Sequence, residues 1–187
     1  MISIIWENKQ LIKVLKGGGV AVMPTDTIYG IVGKAEDSAT VERIYKIRKR
    51  DVNKPCIILI GDVGELEKFS IILSEKQKNL LKKYWLDSMS IVLDCPDEKF
   101  KYLHRGMKSL AFRLPTQKGL QNLLKETGPL VAPSANTEDS PPSQNITEAK
   151  EYFGDLVDLY LNGGLVTSRA SKVIRLHPDG TVSIIRP

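Results

Sequence analysis

The stretch Val20-Ala21-Val22-Met23-Pro24-Thr25-Asp26-Thr27-Ile28-Tyr29-Gly30 decides how this chain is read. Four apolar residues in a row, from Val20 to Met23, suit a short strand buried in a sheet. Pro24 lacks a backbone donor and stops that strand, so Thr25-Asp26-Thr27 forms a turn before a second segment over residues 28–32. Two hydroxyls and a carboxylate then sit at a strand end, the place where open α/β sheets tend to bind ligands. The same residue types also bond their own backbone in ordinary turns, and the stretch alone leaves both readings open.

Working outward, residues 2–6 read as a strand. Asn8 caps a short helix whose apolar face is Leu11, Ile12, Val14 and Leu15, closed by Gly17-Gly18-Gly19. On the other side, Val41, Ile44, Tyr45 and Ile47 predict a helix over residues 38–49. Pro55 breaks its continuation, and residues 56–60 form a short apolar strand. Ser74-Glu75-Lys76-Gln77 has the spacing of a capping box and opens a helix carrying Leu80, Leu81 and Tyr84. Strands follow at residues 90–93 and 109–113. A helix near residues 119–125 ends on Gly128 as its C′ residue, and a strand runs over residues 129–132. Thr147 is the expected cap of the helix containing Ala149 and Tyr152. Residues 172–176 and 181–185, joined through His177-Pro178-Asp179-Gly180, form a terminal hairpin. The sum is a single α/β domain spanning 1–187, a twisted open mixed sheet flanked by helices, with no repeat, linker or additional C-terminal domain.

Bulk properties agree. A chain of 187 residues buries enough surface for one core, and 42% hydrophobic with 26% charged residues is a globular balance. Cys56 and Cys95 have neither Cys-x-x-Cys spacing nor histidine companions, so no metal site or disulfide framework is expected. The first residues lack a signal peptide's basic start and no apolar run is long enough for a membrane, which makes the cytosol the expected location. The net charge of +5 is concentrated in Arg43, Lys46, Arg48, Lys49, Arg50 and Lys54, opposed there only by Asp51. That cluster suits an anion, and it also suits the negative end of a helix dipole.

Two further stretches carry ligand-binding chemistry. Val131-Ala132-Pro133-Ser134-Ala135-Asn136 repeats the strand, proline and small-polar arrangement, prolonged by Pro141-Pro142-Ser143. Arg113 ends the 109–113 strand, where its fork of donors suits a carboxylate or phosphate. Other chemistries are missing. His104 and His177 have no nucleophile context, and neither a Walker A loop nor a dinucleotide glycine fingerprint is present.

In this order the pieces resemble the YrdC/TsaC family, the threonylcarbamoyl-AMP synthases. The likeness runs from Gly18-Gly19-Val20 to Arg186-Pro187. It rests on the 24–30 stretch, the basic run before Lys54-Pro55, Ala111-Phe112-Arg113-Leu114-Pro115 and Pro133-Ser134-Ala135-Asn136. The resemblance implies a YrdC-like fold with a concave, positively charged cleft. It implies formation of threonylcarbamoyl-AMP and pyrophosphate from L-threonine, bicarbonate and ATP, with Mg²⁺ accompanying the ATP and separate proteins passing the product to tRNA. Matched by position, Thr27, Arg113, Ala132 and Ser171 would contact threonine. Arg48, Arg50, Lys54, Ser109, Ser134, Asn136, Pro142, Ser143 and Arg186 would contact ATP. No covalent nucleophile is implied. The chain departs from the family pattern at Arg48-Lys49-Arg50, Trp85 to Ser90, Glu138-Asp139 and Lys172. Two rival readings are a tRNA- or duplex-RNA-binding protein without turnover, using Lys101, His104, Arg105 and Lys108, and a diverged paralogue acting on another substrate.

Overall fold

The computed structural model describes residues 3–187. Helix α1 (Ser3–Trp6) and helix α2 (Lys9–Lys16) precede strand β1 (Ala21–Pro24), strand β2 (Tyr29–Lys34) and helix α3 (Ser38–Arg48). Strand β3 (Ile57–Leu59), helix α4 (Glu75–Tyr84), strand β4 (Met89–Asp94), helix α5 (Lys101–His104), strand β5 (Ser109–Arg113) and helix α6 (Lys118–Thr127) follow. Strand β6 (Leu130–Val131), helix α7 (Ile146–Phe153), strand β7 (Leu159–Tyr160), strand β8 (Lys172–Leu176) and strand β9 (Val182–Arg186) complete the chain. Among the described residues the strands form one sheet in the order β7-β1-β2-β6-β3-β5-β4-β8-β9. Three pairs are parallel, β1 with β7, β3 with β5 and β4 with β8, so the sheet is mixed as expected.

Local chemistry explains most boundaries. Asn8 accepts the backbone N–H groups of Gln10 and Leu11, and Ser74 with Gln77 forms the full capping box. Lys49 ends α3 in the left-handed conformation at φ 51, which turns the chain sharply into the Arg50–Pro55 segment.

Two expectations fail. The described part of the first apolar run, Ser3–Trp6, is a helical turn and not a strand; residue 2 lies outside the described residues. The outer side of β1 is already taken by β7, which pairs Ala21 with Leu159. The turn instead lies against α6, where Trp6 is buried and its Nε1 donates to Pro24 O at 3.0 Å. The cap of α7 is Asn145, whose side chain accepts from Glu148 N; Thr147 is already inside the helix.

Strand alternation sorts the core into two layers. Val22, Ile31, Ile58, Ile91, Phe112 and Ile174 project to one face, where α3, α4, α5 and α7 supply Ile44, Leu81, Leu103 and Phe153. Ala21, Met23, Val32 and Leu59 project to the other, beneath Leu11, Leu15, Leu120 and Leu124 of α2 and α6. Each fully buried leucine or phenylalanine stabilises by about 1.5–3 kcal/mol. The first layer extends from β1 to β8, whereas the second covers only the β1, β2, β6 and β3 part of its face. Among the described residues, no helix packs on the rest of that face.

Close approach of α3 to β2 requires glycine at position 33. A Cβ there would overlap Thr40 Cγ2 and lie 3.0 Å from Ile44 Cδ1. Gly33→Ala is expected to lower stability by about 1–3 kcal/mol, read as a reduced urea midpoint with unchanged slope.

Candidate functional site

The part of the sheet without helix cover is the floor of a cavity of about 440 Å³, within the range of small-molecule sites. Residues i, i+2 and i+4 of a strand share a face, so Ser109, Ala111 and Arg113 of β5 all line it while Leu110 and Phe112 enter the core. Val92 and Val173 continue the floor onto β4 and β8. The site is therefore spread across a sheet face, and not confined to strand ends as the first stretch suggested.

Two loops close one side. Thr25 N and Oγ1 both donate to Ile28 O, at 3.0 and 2.8 Å, which makes the 25–28 turn. Ile31 N donates to Pro133 O and Ala135 N to Tyr29 O, and a bridge joins Gly30 to Ser134. The Thr25-Asp26-Thr27 and Pro133-Ser134 stretches are thus stitched together although far apart in sequence. Tyr29 also fastens the segment leading to Ser171, since its hydroxyl accepts from Gly163 N and donates to Gly164 O, both at 2.8 Å.

Three polar groups face or flank this cavity. In the first, Arg113 is 4% exposed and its Nη2 lies 2.8 Å from Oδ1 of the fully buried Asp26 side chain. The same nitrogen approaches Thr25 Oγ1 at 3.4 Å, and Thr25 Oγ1 lies 3.3 Å from Thr27 Oγ1. Burial lowers the Arg113 pKa and Asp26 works against that shift. Arg113 Nε is buried without a partner, so the guanidinium keeps donor capacity. The second group joins Ser90 Oγ and Ser171 Oγ at 2.8 Å, with Arg186 donating to Ser171 O from Nε and Nη2 at 3.0 and 2.7 Å.

The third group gathers at the end of α3. Arg48 is 2% exposed, and its Nε donates to Asn136 O at 3.0 Å while Nη2 reaches Ser134 Oγ and Asn136 Oδ1, each at 3.3 Å. Desolvation and the neighbouring Arg50 push its pKa down to about 10, which still leaves it charged at neutral pH. Arg50 and Lys54 face Glu138, at 3.7 and 2.7 Å.

Of the sites expected from sequence, Thr27, Arg113, Ala132 and Ser171 line the cavity together with Arg50, Ser109, Ser134, Pro142 and Arg186. Four lie outside the lining. Arg48 is a buried brace behind Ser134. Asn136 closes its own turn by donating to Thr137 O and Ser140 O, Ser143 Oγ donates to Ala135 O, and Lys54 is held on Glu138. The two expected ligand sets are not separate, because Arg186 is bonded directly to Ser171. Asp26, Tyr29, Ser90 and Glu138 went unassigned in the sequence. Only Asp26 and Glu138 had a signal there, Asp26 as the carboxylate of the 25–27 turn and Glu138 as a departure from the family pattern. The proposed RNA patch is reduced by burial of His104 and by pairing of Arg105 with Glu42 at 2.8 Å and with the Tyr45 ring at 3.9 Å.

Comparison with known proteins shows the family and the fold. Residues 13–187 match the Sua5/YciO/YrdC family model, described as telomere recombination. The chain belongs to the Sua5/YciO/YrdC family. It is 32% identical over 181 residues to a Bacillus subtilis protein named threonylcarbamoyl-AMP synthase, covering 95% of this chain and 52% of that protein. A Stutzerimonas stutzeri protein of the same name is 31% identical over 191 residues, with 97% of each chain covered. The crystal structure of Pyrococcus abyssi Sua5 complexed with L-threonine superposes with a TM-score of 0.82 at 26% identity, covering 92% of this chain and 51% of that one. The chain thus spans about half the length of two of these Sua5/YciO/YrdC relatives and nearly all of the third.

Asp26→Asn removes the counter-charge of a buried guanidinium and is expected to cost about 3–5 kcal/mol by chemical denaturation. Pairing it with Arg113→Met should recover part of that loss, since no buried charge then remains.

Proposed function

We propose that this chain forms threonylcarbamoyl-AMP and pyrophosphate from L-threonine, bicarbonate and ATP, supplying the threonylcarbamoyl group that separate proteins transfer to tRNA. The names of the Bacillus and Stutzerimonas relatives support this reading, and the threonine complex of the Pyrococcus relative supports its amino-acid half. One observation carries it. A single cavity holds Thr27, Arg113 and Ser171 beside Arg50, Ser134 and Arg186, so an amino acid and a nucleotide would meet there.

Arg113 would take the threonine carboxylate, with Thr27, Ala132 and Ser171 around the rest of the amino acid. Arg50, Lys54, Ser109, Ser134 and Arg186 would take ATP, with Pro142 beside it. The threonine amine joins bicarbonate as a carbamate with loss of water. A carbamate oxygen then attacks the α-phosphorus, forming the mixed anhydride and expelling pyrophosphate. Those steps need reactants held in line and charge offset, not a protein nucleophile.

Mg²⁺ fits as an ion that arrives with ATP. No group of three or more His, Cys, Asp or Glu side chains among the described residues is placed to hold a metal ion, and apart from the Cys56 thiol the polar side chains of the largely apolar cavity lining are hydroxyls and arginines. Phosphate oxygens and water would supply most of its ligands, and its chemistry there is neutralisation of phosphate charge. The cytosol is the proposed site of the reaction; no helix among the described residues is long and apolar enough to cross a membrane.

Pyrophosphate release from Mg·ATP is expected only when L-threonine and bicarbonate are both present. Arg113→Ala should raise the KM for threonine far more than that for ATP. Release with either co-substrate omitted overturns the assignment, and salt-sensitive RNA binding without turnover favours the RNA-binding rival.

A further inference from the structure

The two cations at the end of α3 already hold an anion of the protein's own. Arg50 is fixed from behind by main-chain carbonyls, with Nε donating to Lys54 O and Nη2 to Pro55 O, both at 3.0 Å. Its remaining nitrogen, Nη1, lies 3.7 Å from Glu138 Oε2, while Lys54 Nζ donates to Glu138 Oε1 at 2.7 Å. One carboxylate therefore gives one oxygen to each cation, as two oxygens of a phosphate group would. Its side chain is 18% exposed, so the bridge is partly shielded from water. The hydrogen bond from Lys54, with Arg50 and Arg48 nearby, holds the Glu138 carboxyl below its ordinary range.

The turn that carries Glu138 is independently locked. Glu138 N donates to Arg48 O at 2.9 Å, and Asn136 Nδ2 donates to Thr137 O and Ser140 O, both at 2.8 Å. Rotation of the Glu138 side chain alone releases both cations and leaves these bonds intact.

We propose that Glu138 is an internal competitor for the polyphosphate group of the nucleotide, displaced from Arg50 and Lys54 when phosphate binds, and that this exchange sets nucleotide affinity. The inference rests on the assignment of those two cations to ATP in the function proposed above. It makes Glu138 a specificity-determining residue that disfavours weakly charged nucleotides. A ligand must bring enough negative charge to outcompete a carboxylate already in place.

The test is calorimetric titration of inorganic triphosphate, then of Mg·ATP, into the wild type, Glu138→Gln and Asp139→Asn at low ionic strength. Asp139 is the control: it is exposed, takes no part in either ion pair, and its left-handed φ of 62 is one that Asn tolerates. Glu138→Gln is expected to bind both probes roughly fivefold more tightly, the scale of one partly exposed, charge-assisted contact. Asp139→Asn should change them by less than about twofold, and added salt should shrink the difference. Unchanged or weaker binding by Glu138→Gln overturns the inference while wild-type ATP binding leaves the proposed function standing. Equal tightening in both variants overturns it in favour of net charge. Tighter triphosphate binding without synthase turnover sustains the inference and removes the function, and no binding of either probe by any variant removes both.

Discussion

A sheet has two faces, and strand geometry forces every second residue onto each. Here one face is buried along its width from β1 to β8, while helices on the other stop after β3. That unequal cover governs the rest of the molecule. A strand in the region without helix cover must be large and apolar on one side and small or polar on the other, as Ser109-Leu110-Ala111-Phe112-Arg113 is. The cavity is the part of the sheet that no helix fills.

The cost of such an opening is polar groups removed from water, and the structure offsets it by pairing them inside the cavity wall. Asp26 neutralises Arg113, Ser90 and Ser171 share a hydrogen bond, and Arg48 ties itself to the Pro133–Ser143 side through Ser134 and Asn136. Each contact joins segments that are distant in the chain. These bonds position the wall of the cavity while leaving Arg113 Nε without a partner.

Arg48, Arg50 and Lys54 show how similar charges in one run acquire different work. Arg48 is buried on the last turn of α3, and the left-handed Lys49 then turns the chain so that Arg50 lines the cavity and Arg50 and Lys54 both face Glu138. Charge alone could not separate a solvated helix end from an anion site. The turn at Lys49 and the returning 134–138 loop give these cations partners within the protein, Ser134 and Asn136 for Arg48 and Glu138 for Arg50 and Lys54.

Much of this was legible beforehand, for local reasons. Helical spacing of apolar residues marks α3, apolar runs mark β1 and β3, and Asn8 and the Ser74-Gln77 box mark helix starts, because caps and local patterns depend on near neighbours. The family resemblance also pointed to Thr27, Arg113, Ser134 and Ser171, and the cavity brings these together. What only tertiary structure decided depends on long-range competition. β7 occupies the edge that the first apolar run would have needed, so that run folds as a helical turn on α6. Arg48 and Asn136 became wall and not lining, and Asp26 and Glu138 became the partners of Arg113 and of the Arg50–Lys54 pair. A residue's type fixes what it can bond; which partner it finds is set by how far-apart segments pack, and no local pattern encodes that.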